Sequence, residues 1–340
     1  EQLVNRQHTR IKVLGAGGGG DNTINRIAQV GVKGVQTIAI NTDAQDLLYT
    51  KANKKILIGR ELTGGLGAGA NPKVGEEAAK ETESEIKKAL ENTDLIFLTC
   101  GLGGGTGTGS IPVVAQLARK MGILTVAVVT LPFAMEGNRR YENALIGLEK
   151  LEQFVNTLIV IPNEKLLALA PNLPLQTAFK VADEILTNSV KGIAELVTKA
   201  GLVNLDFADI RTIMNEGGVA MIGVGESDSD QRAKDSVQKA LENPLIDVDI
   251  SNAKGALINI AGGETLTLDE ARSIVETVSD RLDSNAQIIW GAQIYKDLDK
   301  TIRTMLIITG VQSNQIYGPE VSHSKKRRSE LEAELGIDFL

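Results

Sequence analysis

The sequence predicts an α/β protein: a doubly wound, mostly parallel sheet joined by a long central helix to a smaller α+β domain. Three observations carry this. Continuous apolar runs alternate with helical patterns over residues 10–163, and two of those runs end abruptly in glycine-rich loops. A long amphipathic stretch from Leu175 to Ala200 then separates this region from a second set of strands.

In the first region the strand candidates are Ile11–Leu14, Thr37–Ile40, Leu95–Thr99, Thr125–Thr130 and Thr157–Ile161. Runs with no polar alternation suit strands covered on both faces. Helical spacing fills Gly75–Glu91 and Val113–Met121, so crossovers of the βαβ kind place any ligand at the carboxyl ends of the strands. The central helix shows one face of Ala178, Ala182, Ile185, Ser189, Ile193, Leu196 and Val197, with Gly201 suited to its C-cap. Beyond Asn215, Val219–Val224, Ala256–Ala261, Ala286–Ala292 and Met305–Thr309 read as strands, and Ser229–Glu242 and Leu268–Leu282 as helices.

Composition bounds the function. At 340 residues, 42% hydrophobic and 23% charged, the chain has enough apolar content for two ordinary globular cores. No apolar run approaches the roughly 20 residues that span a bilayer, and no signal-peptide pattern opens the chain, so the expectation is a cytoplasmic protein without direct membrane insertion. A net charge of −7 argues against nucleic acid as a partner, since such binding rests on neutralising phosphates with Lys and Arg. Cys100 is the sole cysteine, which excludes internal disulfides and thiolate zinc sites. Its place at the end of an apolar strand suits a buried structural thiol. No internal repeat is present, and no metal-ligand spacing is legible. After Ser324 the charge switches from basic to acidic before the closing Gly336-Ile-Asp-Phe-Leu340. That end reads either as a solvated surface or as a docking peptide whose Ile337, Phe339 and Leu340 fill a partner's groove.

The glycine loops carry the chemistry. In Leu95-Ile-Phe-Leu-Thr-Cys-Gly-Leu-Gly-Gly-Gly-Thr-Gly-Thr-Gly109, Gly103, Gly104, Gly105, Gly107 and Gly109 let backbone N–H groups approach a phosphate. The expected helix near Ser110 and Pro112 adds a partly positive N-terminus. Thr106 and Thr108 offer hydroxyls to phosphate oxygens; the alternative is that the glycines only pack a strand against a helix. The second loop, Gly15-Ala-Gly-Gly-Gly-Gly-Asp-Asn-Thr-Ile24, fits the dinucleotide fingerprint through Gly15, Gly17 and Gly20, with Asp43 at the spacing of a ribose-binding acid. Alone it would suggest a dinucleotide-dependent oxidoreductase. The only histidines, His8 and His323, lie near the ends, and no hydride-transfer site with a proton relay follows. No Walker string occurs either, so backbone amides, helix ends and hydroxyls must hold the ligand.

Gly103-Gly-Gly-Thr-Gly-Thr-Gly109 matches the signature of the tubulin and FtsZ family in full. Asn41-Thr-Asp-Ala-Gln45, Gly67-Ala-Gly-Ala-Asn-Pro72 and Asn204-Leu-Asp-Phe-Ala-Asp209 resemble its FtsZ branch specifically. The resemblance runs from about residue 10 to 312 and implies a GTPase that polymerises head to tail into protofilaments, the scaffold of the prokaryotic division ring on the inner face of the membrane. It implies a GTP-binding domain over 10–174 after a short N-terminal extension, a central helix over 175–201, a C-terminal domain over 202–312 with its catalytic loop at 202–210, and a tail over 313–340.

Carried over by position, Gly18, Gly19, Gly20, Asp21 and Asn22 form the first phosphate-side loop, Ala68 and Gly69 the third, and Gly105, Thr106 and Gly107 the heart of the signature. Glu136 and Arg140 match positions that contact ribose and the phosphate end; on their own terms they suit an ion pair at a helix start. A guanine needs a carboxylate for N1–H and N2–H₂ and an amide donor for O6. Asp183 and Asn163 match those roles and Phe179 the stacking ring, while Asp183 read alone fits a solvated acid equally. Asn204, Asp206 and Asp209 match the loop that enters the next subunit's pocket, where its acids polarise the attacking water; spacing alone allows a mere capping turn. The resemblance also implies Mg²⁺ on the nucleotide phosphates, a homopolymer, and a membrane-tethering adaptor whose footprint would be Gly336 to Leu340.

The chain departs from the pattern twice. Asp21 stands where many members have a small or amide residue; a carboxylate there is unfavourable beside phosphates unless it turns away, and one reading has it cap a helix beginning at Asn22. The closing Gly336–Leu340 lacks the proline-containing motif common in bacterial members, and together with Val160-Ile-Pro-Asn-Glu-Lys165 and Met221-Ile-Gly-Val-Gly-Glu-Ser-Asp228 it looks more archaeal than bacterial. Besides the GTPase, a relative that assembles on GTP without appreciable turnover remains open.

Overall fold

The computed structural model describes residues 9–32, 34–164, 175–198, 202–203, 206–215, 218–242 and 248–311. Asn204, the side chain of Phe179, Gly201 and the closing Gly336–Leu340 lie outside the described residues.

Among the described residues ten strands form one sheet in the order β3-β2-β1-β4-β5-β6-β7-β10-β8-β9. They are β1 (Ile11–Ala16), β2 (Val35–Asn41), β3 (Lys54–Leu57), β4 (Leu95–Gly101), β5 (Leu124–Leu131), β6 (Thr157–Pro162), β7 (Val219–Ser227), β8 (Gly255–Gly262), β9 (Gln287–Ile294) and β10 (Ile302–Thr309). The first six pair parallel; five of them are the expected strands, and the edge strand β3 is an addition. Strand β10 then runs antiparallel to both β7 and β8. The seam between the two regions is narrow: β6 meets β7 in parallel through Leu158↔Val219 and Ile159↔Ala220 alone.

Helices cover both faces. One apolar layer sets α1 (Gly17–Val30), α8 (Leu175–Thr198) and α9 (Phe207–Asn215) against one face, through Ile24, Ile27, Leu186, Val190, Ile193, Ile210 and Ile213. The other sets α4 (Pro72–Glu81), α5 (Glu83–Leu90), α6 (Thr106–Lys120), α7 (Asn138–Glu152), α10 (Arg232–Leu241) and α11 (Leu268–Ser279) against the opposite face. Each layer contains strand residues from both sides of the seam, for example Phe97 with Ile307 and Leu98 with Ile258. Two short helices, α2 (Ala44–Tyr49) and α3 (Arg60–Thr63), sit beside the β2–β3 edge.

Several elements differ from the reading above. The 75–91 stretch is two helices meeting at Thr82, which ends α4 and precedes α5. Helix α6 starts at Thr106, not near Ser110, and holds Pro112 inside it. Proline there gives up one ladder hydrogen bond; packing against α4 compensates. A Cβ on Gly109 would lie 2.0 Å from Pro72 O, and one on Gly75 2.3 Å from Gly105 O. The backbones of α4 and α6 therefore touch where the glycines allow it.

Candidate functional site

The helices α1 and α6 begin at the carboxyl ends of β1 and β4, side by side. Neither has a side-chain cap at its N-terminus or an acid in its first turn. Their first N–H groups therefore have no acceptor within their own helices, and two partly positive ends converge on one place. A cleft of about 340 Å³ opens there, lined by Gly17, Gly18, Gly19 and Asn22 from α1 and by Gly104, Gly105, Thr106 and Gly107 from the signature loop. Its far wall is made by Pro132, Glu136, Arg140, Asn163 and Asp183. Arg140 is the one cation among these residues, so the donor set suits phosphate oxygens held by amides and hydroxyls.

The signature glycines do two jobs. Gly104 faces open space, whereas a Cβ on Gly105 would lie 2.8 Å from Ala68 Cβ and one on Gly107 would lie 2.9 Å from Ala16 O. Much of the motif therefore serves close packing, and the same tightness brings backbone amides to the cleft wall. Thr106 keeps its hydroxyl at the cleft, 2.6 Å from that of Thr42. Thr108 does not: it is buried, and its hydroxyl accepts from the Gly103 N–H at 2.9 Å.

Other expected residues do not line the cleft. Gly20 is buried against Gly15, where a Cβ on Gly15 would meet Gly20 O at 2.5 Å. Asp21 neither lines the cleft nor caps a helix, because α1 begins at Gly17 and carries Asp21 inward. Its Oδ2 accepts from Asn41 Nδ2 at 2.7 Å and its Oδ1 has no partner. Burial pushes its pKa up to about 7, against the opposing hydrogen bond from Asn41. Ala68 packs behind Gly105, and Gly69 holds a positive φ of 58° in the same loop. Asp43 caps α2, accepting from the N–H groups of Gln45 and Asp46, so it is not placed as a ribose-binding acid.

On the far wall, Asn163 is buried and its Oδ1 has no partner. Asp183 projects from α8; burial raises its pKa to about 6, and Arg26 from α1 opposes the rise. Arg26 itself is ion-paired with Glu184, tying α1 to α8. Glu136 accepts from the Phe133 N–H at 2.9 Å and pairs with Arg140, so the ion-pair reading holds while both side chains still face the cleft.

The two described acids of the loop lie elsewhere. Asp206 caps α9: the Asp209 N–H donates to Asp206 Oδ1 at 2.8 Å. Neither acid lines the cleft. From Asp183 the helix α8 runs fifteen residues further to Thr198, about 22 Å at the α-helical rise, before the chain reaches them.

Comparison with known proteins identifies this arrangement. The models of the Tubulin/FtsZ family, GTPase domain, and of the FtsZ family, C-terminal domain, match residues 10–171 and 218–312. "Cell division protein FtsZ 1" of Methanocaldococcus jannaschii is 61% identical over 312 residues, 92% of this chain and 86% of that protein. The Thermococcus kodakarensis protein of the same name is 61% identical over 324 residues, covering 95% and 87%. A solved "FtsZ dimer, empty" from M. jannaschii superposes with a TM-score of 0.86 at 61% identity, over 91% of this chain and 90% of that one. A CetZ2 protofilament from Haloferax volcanii shares the fold at 20% identity, with a TM-score of 0.79 over 97% and 100%. With two uncapped helix ends at a glycine cleft, and both family models matched in order, the chain belongs to the tubulin/FtsZ family, in its FtsZ branch.

Proposed function

We propose that this chain is a GTP-hydrolysing cytoskeletal protein of cell division whose catalytic site is assembled between two copies. The observation that carries the reading is the separation just described: a phosphate-suited cleft that meets α8 at Asp183, and the acids Asp206 and Asp209 beyond that helix's C-terminal end. One copy cannot bring both to the same phosphate. A second copy stacked head to tail can, and apolar side chains stand exposed beside both places: Leu66 and Met135 near the cleft, Leu202 near the acids.

In this mechanism the amides at the starts of α1 and α6 hold the phosphates, and Asn163 and Asp183 read the guanine edge, with Phe179 stacking on it. Asp206, Asp209 and Asn204 of the next copy orient and polarise a water toward the terminal phosphate. Phosphoryl transfer depends mainly on positioning and charge stabilisation, so neither acid needs to take a full proton early. Among the described residues no group of three His, Cys, Asp or Glu converges, and the two loops at the phosphate end present amides and hydroxyls without a carboxylate. Mg²⁺ would therefore ride on nucleotide oxygens and water, neutralising phosphate charge. The tail Gly336–Leu340 is proposed as the footprint of a membrane-tethering adaptor, placing the polymer at the inner face of the membrane. Truncation after Arg328 would then spare assembly and abolish adaptor capture.

The test is phosphate release from GTP and ATP across a protein dilution series, with light scattering on the same samples. The expected result is GTP-selective turnover that appears with scattering above a threshold concentration. Specific activity independent of concentration overturns the shared site. Mixing Asp209→Ala protein with a variant unable to bind GTP supplies the complementary check, since mixed stacks contain intact interfaces and recover turnover.

A further inference from the structure

Thr42 is wholly buried and does not line the cleft. It sits where β2 passes into α2, and its hydroxyl oxygen lies 2.6 Å from that of Thr106, which does line the cleft. Its backbone carbonyl meanwhile accepts from the Gly67 N–H at 3.1 Å. Thr106 is the first residue of α6 and stands against the start of α1, where a Cβ on Gly17 would come within 3.2 Å of Thr106 Cβ.

Two hydroxyls that share one hydrogen bond have a choice of direction. A phosphate oxygen removes it. The anion only accepts, so a Thr106 hydroxyl that donates to phosphate must accept from Thr42. We propose that Thr42 is a positioning residue for the nucleotide phosphates: it donates to Thr106 and so aims the Thr106 proton into the cleft. The resulting chain, Thr42 to Thr106 to phosphate, runs in one direction, and each donor polarises the next. Burial keeps water from substituting for Thr42. The inference rests on the reading of the cleft as a phosphate site.

The experiment is a double-mutant cycle on the full chain, with Thr42→Val, Thr106→Val and the pair, reading affinity for GTP, GDP and guanosine by competition against a fluorescent GTP analogue. The expected outcome is a loss of roughly fivefold to tenfold in GTP and GDP affinity for Thr42→Val, the net scale of one hydrogen bond between neutral groups. Guanosine affinity stays unchanged, and no further loss appears when Thr106 is already Val. Thr42→Ser keeps the hydroxyl and restores phosphate affinity, which a loss through altered packing would not allow. Additive losses, or an equal loss for guanosine, overturn the proposal. If Thr106→Val is itself without effect on GTP, the phosphate reading of the cleft fails; if Thr106→Val weakens GTP while Thr42→Val does not, only the role of Thr42 fails.

Discussion

Asp206 and Asp209 hold each other across the first turn of α9: the Asp209 N–H donates to Asp206 Oδ1 at 2.8 Å, and the Asp206 N–H to Asp209 Oδ2 at 3.4 Å. The stronger bond belongs to the cap and the weaker to its reciprocal. Replacing Asp206 by Ala should therefore remove about 1 kcal/mol of stability, and replacing Asp209 less. Turnover should not follow that order. Both variants are expected to lose GTP hydrolysis by about a hundredfold or more while binding GTP normally, as read by single-turnover phosphate release beside nucleotide affinity. A loss of activity that tracked melting temperature would reduce both acids to capping residues.

Asp183 makes the base preference testable by pH and by chemistry. With its carboxyl raised to about 6, it gains a proton as pH falls through that value and ceases to accept from both N1–H and N2–H₂. GTP affinity should weaken on the acid side of pH 6. Asp183→Asn should abolish this limb and turn preference toward a xanthine nucleotide, whose C2 carbonyl accepts from an amide. Competition between the two nucleotides at pH 5.5 and 7.5 measures it.

Asp21 should leave its mark on stability. Its folded pKa of about 7 exceeds the usual unfolded value near 3.9, so its contribution is fully present below pH 4 and is lost as pH rises through 7. In that window the slope approaches about 1.4 kcal/mol per pH unit. Asp21→Asn, which keeps the shape and a carbonyl acceptor for Asn41, should be more stable than the parent at pH 8 and nearly equal to it at pH 4. Urea midpoints at the two pH values decide the matter.

The glycines separate packing from binding. A Cβ at Gly109 meets Pro72 O at 2.0 Å and Glu76 N at 2.6 Å, whereas one at Gly104 meets nothing within 4 Å. Gly109→Ala is expected to destabilise the fold by about 1–3 kcal/mol or more as α4 and α6 part. Gly104→Ala should leave the melting temperature alone and weaken nucleotide binding by filling the cleft. Thermal melts and GTP affinity on both variants check the pair.

Much of this is legible in the sequence: strands β1, β2, β4, β5 and β6 stand out as largely apolar runs, as parallel strands covered on both faces do, and β7 to β10 also read as strands, which leaves one of the ten described strands unsignalled. The exception, β3, is a sheet edge of Lys54-Lys-Ile-Leu57 in which only Ile56 is buried, so it leaves almost no pattern. The sequence places the start of α6 late because Pro112 looks like a first helical residue while Gly107 and Gly109 look like loop; only close packing, of Gly107 against β1 and β4 and of Gly109 against α4, makes helix the better state. At the site, the glycine loops were plain in the sequence. The inward turn of Asp21 was not, since it depends on where α1 begins. Nor were Thr42 with Thr106, 64 positions apart, or Arg26 with Glu184, 158 apart: contacts so distant in sequence leave no local trace.

The seam between β6 and β7 consists of two backbone pairs, but the apolar layers on both sides of the sheet pass across it uninterrupted. Neither half can therefore melt without exposing apolar surface of the other. Heating should produce one calorimetric transition whose van't Hoff and calorimetric enthalpies agree, and substituting Ile307 on the far strand should lower the melting point reported from the nucleotide cleft.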